Sequence, residues 1–203
     1  EKFATLPDEY SHLYMAIEQE LAAVICIEDP IREEAREVVA RLKEVGLSKV
    51  VMMTGDSDRT AKAIAARVGV DRYFSEVLPE DKANFIEAEK KAGRKVIMIG
   101  DGINDSPALS AADVGIAISD GAELAREIAD ITIGADDLSV MVTLKEISNG
   151  LMDKIHKNYR RIVGINGSLI ALGVTGVIQP TMSALLHNTS TLLIGMDSMK
   201  SVL

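Results

Sequence analysis

Two stretches constrain this chain more than any others: KVVMMTGD (49–56) and KVIMIGDG (95–102). Each is a short apolar run that ends in a glycine and an aspartate, and two unrelated loops rarely share that pattern. Helix-patterned segments flank both. Ile31, Ala35, Val38, Val39, Leu42 and Val45 recur at helical spacing, and Gly46 stops the run. Asp29-Pro30 is expected to open that helix, with the aspartate as N-cap and the proline at the first position. Ala61, Ile64, Ala65 and Val68 mark a second helix, stopped by Gly69, and PEDKANFIEAEKKAG (79–93) a third. DVGIAI (113–118) and DITI (130–133) read as further strands, and LYMAIEQELAAVICI (13–27) as two strands around a Glu18-Gln19-Glu20 turn. Strands alternating with helices predict an α/β domain with a parallel sheet. Ligands of such sheets bind beyond the carboxyl ends of the strands. Thr54-Gly55-Asp56 and Gly100-Asp101-Gly102 are therefore expected side by side at one rim.

Charge divides the chain. The formal net charge is -9 over 203 residues, which argues against a nucleic-acid partner, since phosphate-backbone binders carry a basic face. Yet Ile162–Met196 holds no Asp, Glu, Lys or Arg. After a helix expected over about 137–158, the uncharged runs Ile162–Ile178 and Thr181–Met196 sit at the lower limit for spanning helices, which need about 17–25 residues. Gln179-Pro180 makes a turn between them. Lys154, Lys157, Arg160, Arg161 and Lys200 flank the pair, so by the positive-inside rule both ends face the cytoplasm. The competing reading is a buried helical hairpin of a soluble core. The single cysteine, Cys26, excludes an internal disulfide framework and reads as packing. The chain begins with Glu and shows no signal peptide, so it is expected to be a piece of a longer product.

The chemistry lies at the strand ends. Two carboxylates, Asp101 and Asp105, stand close in sequence, and a unit-charge pair 4 Å apart costs roughly 4 kcal/mol at an effective dielectric near 20. A hard divalent cation converts that cost into binding, and magnesium takes a few carboxylates plus water and phosphate oxygens. The alternative is a cap and a turn, with Asp105 and Ser106 serving a helix that starts near Pro107. Thr54 and Gly55 offer a hydroxyl and a backbone N–H to a phosphate. Lys82 is a cation suited to a phosphoryl oxygen, or else a solvated surface lysine. These are the parts of a phosphoryl-transfer site. A nucleophilic carboxylate on a further strand is missing.

MTGDSDRTAKAIA (53–65), PEDKANFI (79–86) and IGDGINDSPALSAADVGIAI (99–118) resemble the phosphorylation domain of a P-type ATPase, and IEDPIREEA (27–35) resembles its DPxR segment. Two spans close behind that domain resemble the heavy-metal-translocating branch. The resemblance implies a HAD-like, Rossmann-type parallel sheet lacking its nucleophile strand, followed by a transmembrane helical hairpin. It implies Mg2+ at Asp101, with Asp105 supporting metal and phosphate and Asn104 as the polar residue between them. It implies ATP and phosphate contacts at Thr54, Gly55 and Asp56, Lys82 neutralising the transferred phosphoryl group, and Asp29 and Arg32 near a hinge. The family's DKTGT aspartate, TGE motif and cysteine-containing membrane motif are absent from this sequence.

The expected organisation is thus the end of a nucleotide-binding domain over 1–27, a phosphorylation domain over 28–157 and two membrane helices over 158–203. The expected function is the C-terminal part of a metal-cation pump in the plasma membrane, its phosphorylation domain in the cytosol. Its partners are ATP, a metal ion, the lipid bilayer and the missing N-terminal part. The chain alone is expected to be inactive, and the strands bearing Thr54 and Asp101 to have unpaired edges. The alternatives are a HAD-type phosphatase and a membrane-anchored module without turnover. In the tail, Asn166, His187 and Thr191 are candidate ligands of the transported metal, with interhelical hydrogen bonding as the competing role. Imidazole and carboxylate without cysteine favour zinc, cadmium or cobalt over copper.

Overall fold

The structure, a computed structural model, describes residues 6, 10–27, 30–100, 103–118, 127–134 and 137–201. It divides into two compact units, Glu1–Val142 and Thr143–Leu203.

The first unit opens with an antiparallel hairpin of β1 (Ser11–Ile17) and β2 (Glu20–Ile27). Its two turn residues, Glu18 (φ 50°) and Gln19 (φ 71°), both lie in the left-handed region, as a two-residue hairpin loop that matches strand twist requires. Leu13, Met15, Ile25 and Ile27 are exposed.

α1 spans Ala35–Glu44 and buries Ala35, Val38 and Leu42. It starts later than expected. Pro30 lies ahead of it in irregular chain, Asp29 lies outside the described residues, and Glu34 occupies the cap position without a side-chain bond. The physical reason is burial: only from Ala35 onward does the segment offer a fully buried face.

β3 (Val51–Met53) leads into α2 (Asp58–Val68), whose cap Ser57 accepts a bond from the Thr60 N–H and whose end is Gly69 at φ 82°. A three-residue strand, β4 (Arg72–Phe74), pairs with β3 in parallel and was not expected. α3 (Pro79–Lys91) follows, its first turn closed by Asp81 accepting from the Leu78 N–H at 3.1 Å. β5 (Ile97–Gly100), a 3-10 turn (Ile103–Asp105), α4 (Ser106–Ala111), β6 (Val114–Ile118) and β7 (Ile131–Ile133) complete the unit. The parallel strands form two sheets, β3-β4 and β5-β6-β7. Among the described residues, β3 and β5 each keep one unpaired edge, in agreement with the expectation.

Both sheets use one device to set register. Asp71, just before β4, accepts from the Val50 N–H at 2.7 Å while its own N–H donates to Val50 O at 2.9 Å. Asp113, just before β6, does the same with Val96, at 3.0 Å in both directions. Each carboxylate also takes a lysine, Lys43 or Lys95, at 2.8 Å. The lysine bond, then the backbone N–H, hold both carboxyls below the usual carboxylate range.

The second unit is a helical hairpin. One helix, α5 (Val140–Val174), runs straight through the Arg160-Arg161 boundary where a break was expected. Gly176 (φ 73°) ends the turn after it, and α6 (Pro180–Ser198) follows. Arg161 meets Asp197 at 2.9 Å and Asn158 donates to Ser198 Oγ at 2.7 Å. Among the described residues no helix is long and apolar enough to cross a membrane, so the hairpin is present but its expected spanning character does not follow from helix length and hydropathy. The cause is where the helices end. The uncharged part of α5 stops at Val174, the rest carries Lys154, Lys157, Arg160 and Arg161, and α6 holds the polar run His187–Thr191.

Candidate active site

Two clusters form at strand ends in the first unit. In one, Lys82, from the first turn of α3, donates to Asp105 Oδ1 at 2.7 Å. Their side chains are 17% and 11% exposed, so the pair is largely withdrawn from water. Asp105 precedes α4 but makes no capping bond. That overturns the cap reading of this residue and, for Lys82, the solvated-lysine reading. Gly100 makes the approach possible: a Cβ there would lie 2.7 Å from Asp105 Cβ and from its Oδ2. Gly115 plays a similar part for α4, where a Cβ would meet Leu109 O at 2.7 Å. Asn104 is exposed in the 3-10 turn. Asp101 and Gly102 lie outside the described residues.

The second cluster is the loop after β3. Thr54 Oγ1 donates to Asp56 Oδ2 at 2.6 Å and accepts from the Asp56 N–H at 3.1 Å. The loop is clamped to the chain after β4: the Val77 N–H donates to Thr54 O at 3.0 Å, and the Glu76 N–H to Asp56 O at 2.9 Å. Gly55 stays open, with Val77 O, at 4.0 Å, the nearest atom to an added Cβ. No hydrogen bond among the described residues joins Thr54 or Asp56 to Lys82 or Asp105. Beside this loop, Asp58 accepts from Tyr73 Oη and Ser75 Oγ at 3.2 and 3.3 Å. Burial, then the Asp58 charge, push the Tyr73 phenol above its usual value.

Among the described residues, no three of His, Cys, Asp and Glu cluster as a cation site. The donor set around Asp105 nevertheless fits a hydrated magnesium ion. One carboxylate oxygen is anchored by Lys82, and the neighbouring Ser106 Oγ is buried without a hydrogen-bond partner. Magnesium binds largely through water and a few carboxylates, so a full protein cage is not required. Sequence reasoning missed Gly100 as a steric requirement and Ser106 as an orphan. Neither leaves a sequence signal, because both depend on which side chain packs alongside.

In the second unit, His187 Nδ1 and Asn166 Oδ1 are 2.8 Å apart. They lie on an open groove lined also by Leu169, Ile170, Val174, Ile178 and Ala184. Thr191 is not brought to the imidazole ring: its hydroxyl turns back to His187 O at 2.9 Å.

Residues 2–113 match a family profile described as haloacid dehalogenase-like hydrolase. The chain belongs to the haloacid dehalogenase-like hydrolases. Among its relatives in that family is a zinc-exporting P-type ATPase of Mycobacterium marinum, 36% identical over 191 residues, or 94% of this chain and 26% of that one. A copper-exporting P-type ATPase of Bacillus subtilis is 42% identical over 168 residues, or 83% of this chain and 21% of that one. A crystal structure of a zinc-transporting PIB-type ATPase in its E2.Pi state superimposes with a TM-score of 0.81 at 27% identity, over 94% of this chain and 31% of that one. The resemblance to heavy-metal P-type ATPases therefore holds over nearly the whole chain. The chain spans about a quarter of the length of the curated relatives it matches.

Proposed function

We propose that this hydrolase-family chain is the C-terminal part of an ATP-driven transition-metal cation pump. The observation that carries the reading is the withdrawn Lys82–Asp105 pair at the end of a parallel strand whose neighbouring edge is unpaired. A strand placed against the β5 edge brings an aspartate at its carboxyl end to the same rim as Asp105. In this reading residues 1–27 end a nucleotide-binding domain, 28–157 are the cytosolic phosphorylation domain, and 158–203 are the last two spans in the plasma membrane. Support for the spans comes from the charge-free Ile162–Met196 stretch and the basic residues before it.

Each residue then has a task. Asp101 and Asp105 hold Mg2+, which when bound supplies positive charge against the charge building on the transferred phosphoryl group. Lys82 bonds a phosphoryl oxygen and is aimed by Asp105. Thr54 and Gly55 position the phosphate, with Asp56 fixing the Thr54 hydroxyl and Asn104 at the open side. Such sites work mainly by positioning and electrostatic stabilisation. In the tail, His187 and Asn166 contact the transported metal, and Thr191 shapes the helix beneath them. Relatives named for zinc and for copper both match closely, so the preference for zinc, cadmium or cobalt rests on the imidazole at 187.

The test is phosphoenzyme formation from γ-labelled ATP. A longer protein carrying this chain is expected to incorporate acid-stable label with Mg2+ and a transported metal, and to lose it with Asp101→Ala. The chain 1–203 by itself is expected to incorporate none. Label on the isolated chain would mean it has its own nucleophile, as a phosphatase of this family does, and would overturn the reading.

A further inference from the structure

Among the described residues, three non-glycines have φ in the left-handed region: Glu18, Gln19 and Glu76. The first two make the hairpin turn. Glu76, at φ 53°, follows β4 and needs a reason of its own, since such a residue costs energy and persists only where its surroundings enforce it. Backbone bonds supply the reason. β3 and β4 pair in register up to Met53 and Phe74. The Thr54 N–H then donates to Phe74 O at 3.0 Å, but Thr54 O takes the Val77 N–H, also at 3.0 Å. In a regular parallel ladder those two partners lie two residues apart. Here they lie three apart, so the chain after β4 carries a bulge of one extra residue. The Glu76 N–H, displaced from Thr54 O, donates to Asp56 O at 2.9 Å. Ser75 Oγ ties the other flank to Asp58 Oδ1 of α2 at 3.3 Å. Two residues past Val77 α3 begins, and its Lys82 N–H donates to Leu78 O at 3.3 Å. The bulge therefore grips the Thr54–Asp56 loop with two backbone bonds and launches the Lys82 helix from its far end. The Glu76 side chain is exposed and makes no hydrogen bond or ion pair among the described residues, so its contribution comes from the backbone.

We infer that Glu76 is a positioning residue, whose left-handed backbone sets the spacing between the Thr54–Gly55 loop and Lys82. The inference rests on the proposed phosphoryl site and adds to it a residue that touches no ligand. Thr54 and Lys82 come from different strand ends and share no hydrogen bond, so residues 75–78 are the strut that makes one rim of them.

Calorimetric titration of the full chain with inorganic phosphate in the presence of Mg2+ tests this on four variants. Glu76→Gly and Glu76→Asn place residues that tolerate φ 53° and are expected to bind within about twofold of wild type. Glu76→Val puts a β-branched residue where φ is positive, and is expected to bind at least about fivefold more weakly, the worth of one hydrogen bond to the ligand. Its Val77 amide should also exchange hydrogen faster than in wild type, as the bond to Thr54 O opens. Val38→Ala, at a buried α1 residue, lowers stability without touching the bulge and should bind like wild type. Wild-type affinity or an unchanged Val77 exchange rate in Glu76→Val overturns the inference and leaves the proposed site standing. So does a Glu76→Gly as weak as Glu76→Val, which would put the carboxylate at work instead of the backbone. An equal loss in Val38→Ala overturns it too, by making the effect one of global stability. No binding by the wild type overturns the site and the inference together.

Discussion

Gly100→Ala should damage this protein out of proportion to one methyl group. The added Cβ would lie 2.7 Å from Asp105 Cβ and Oδ2, and 2.9 Å from its Cγ. Carbon atoms in contact sit about 3.5–4.0 Å apart, so Asp105 must retreat by roughly 1 Å. It has little room, being 8% exposed and tied to Lys82 at 2.7 Å. A shift of that size takes the pair out of hydrogen-bonding geometry. Overpacking costs about 1–3 kcal/mol and the weakened pair about 1 kcal/mol more. At about 2–4 °C per kcal/mol for a domain of this size, the midpoint should fall by roughly 4–16 °C. Circular dichroism melts of the full chain measure it. A double variant, Gly100→Ala with Asp105→Gly, should recover the steric part, because every one of the close contacts, Cβ included, is with that side chain. A Gly100→Ala midpoint within about 2 °C of wild type would refute the reasoning, as would a double variant no more stable than the single.

Three further outcomes are expected. Gly55→Ala meets nothing closer than 4.0 Å, so its stability should stay within about 0.5 kcal/mol of wild type in urea unfolding while Mg2+-phosphate binding weakens; unchanged binding would remove Gly55 from the site. Lys82→Met strands a carboxylate that is 11% exposed, which should cost about 2–3 kcal/mol, and adding Asp105→Leu should recover much of it; a single-variant cost below about 0.5 kcal/mol would show the pair to be solvated. Asp113 is held below the ordinary carboxylate range by Lys95 and then by the Val96 N–H, so its contribution is whole above about pH 4 and disappears as pH falls through its folded value, where the unfolded chain has already taken up the proton. Asp113→Asn should flatten the acid limb of the urea midpoint below about pH 4, where the unfolded chain takes up the proton first, and an unchanged slope there would contradict that assignment.

Much of this was legible beforehand, for particular physical reasons. β3, β5 and β6 are apolar runs followed within three residues by an aspartate, and α2 carries both a serine cap and a glycine stop, so local chemistry alone marks them. β4 was not legible, because Arg72-Tyr73-Phe74 is three residues long and becomes a strand only by pairing with β3. Nor was the role of Asp105. Next to Ser106-Pro107 it has the chemistry of a cap, and its real partner lies 23 residues away on α3. The unbroken α5 was hidden by its arginines, which signal a boundary in charge but do not interrupt helical hydrogen bonding.

The reciprocal aspartate bonds at Val50 and Val96 lie at the opposite ends of β3 and β5 from the candidate site. Thr54 lies four residues beyond Val50, at about 3.3 Å each, so a datum set at Val50 fixes its height roughly 13 Å further on. With so short a ruler, a slip of one residue at the entrance would lift the loop a full step and turn its side chains to the other face. Asp71 and Asp113 thus act as levelling marks. They touch no ligand, yet they decide at what altitude the two loops emerge, and a lesion on that distant face would be read out as a misaligned rim.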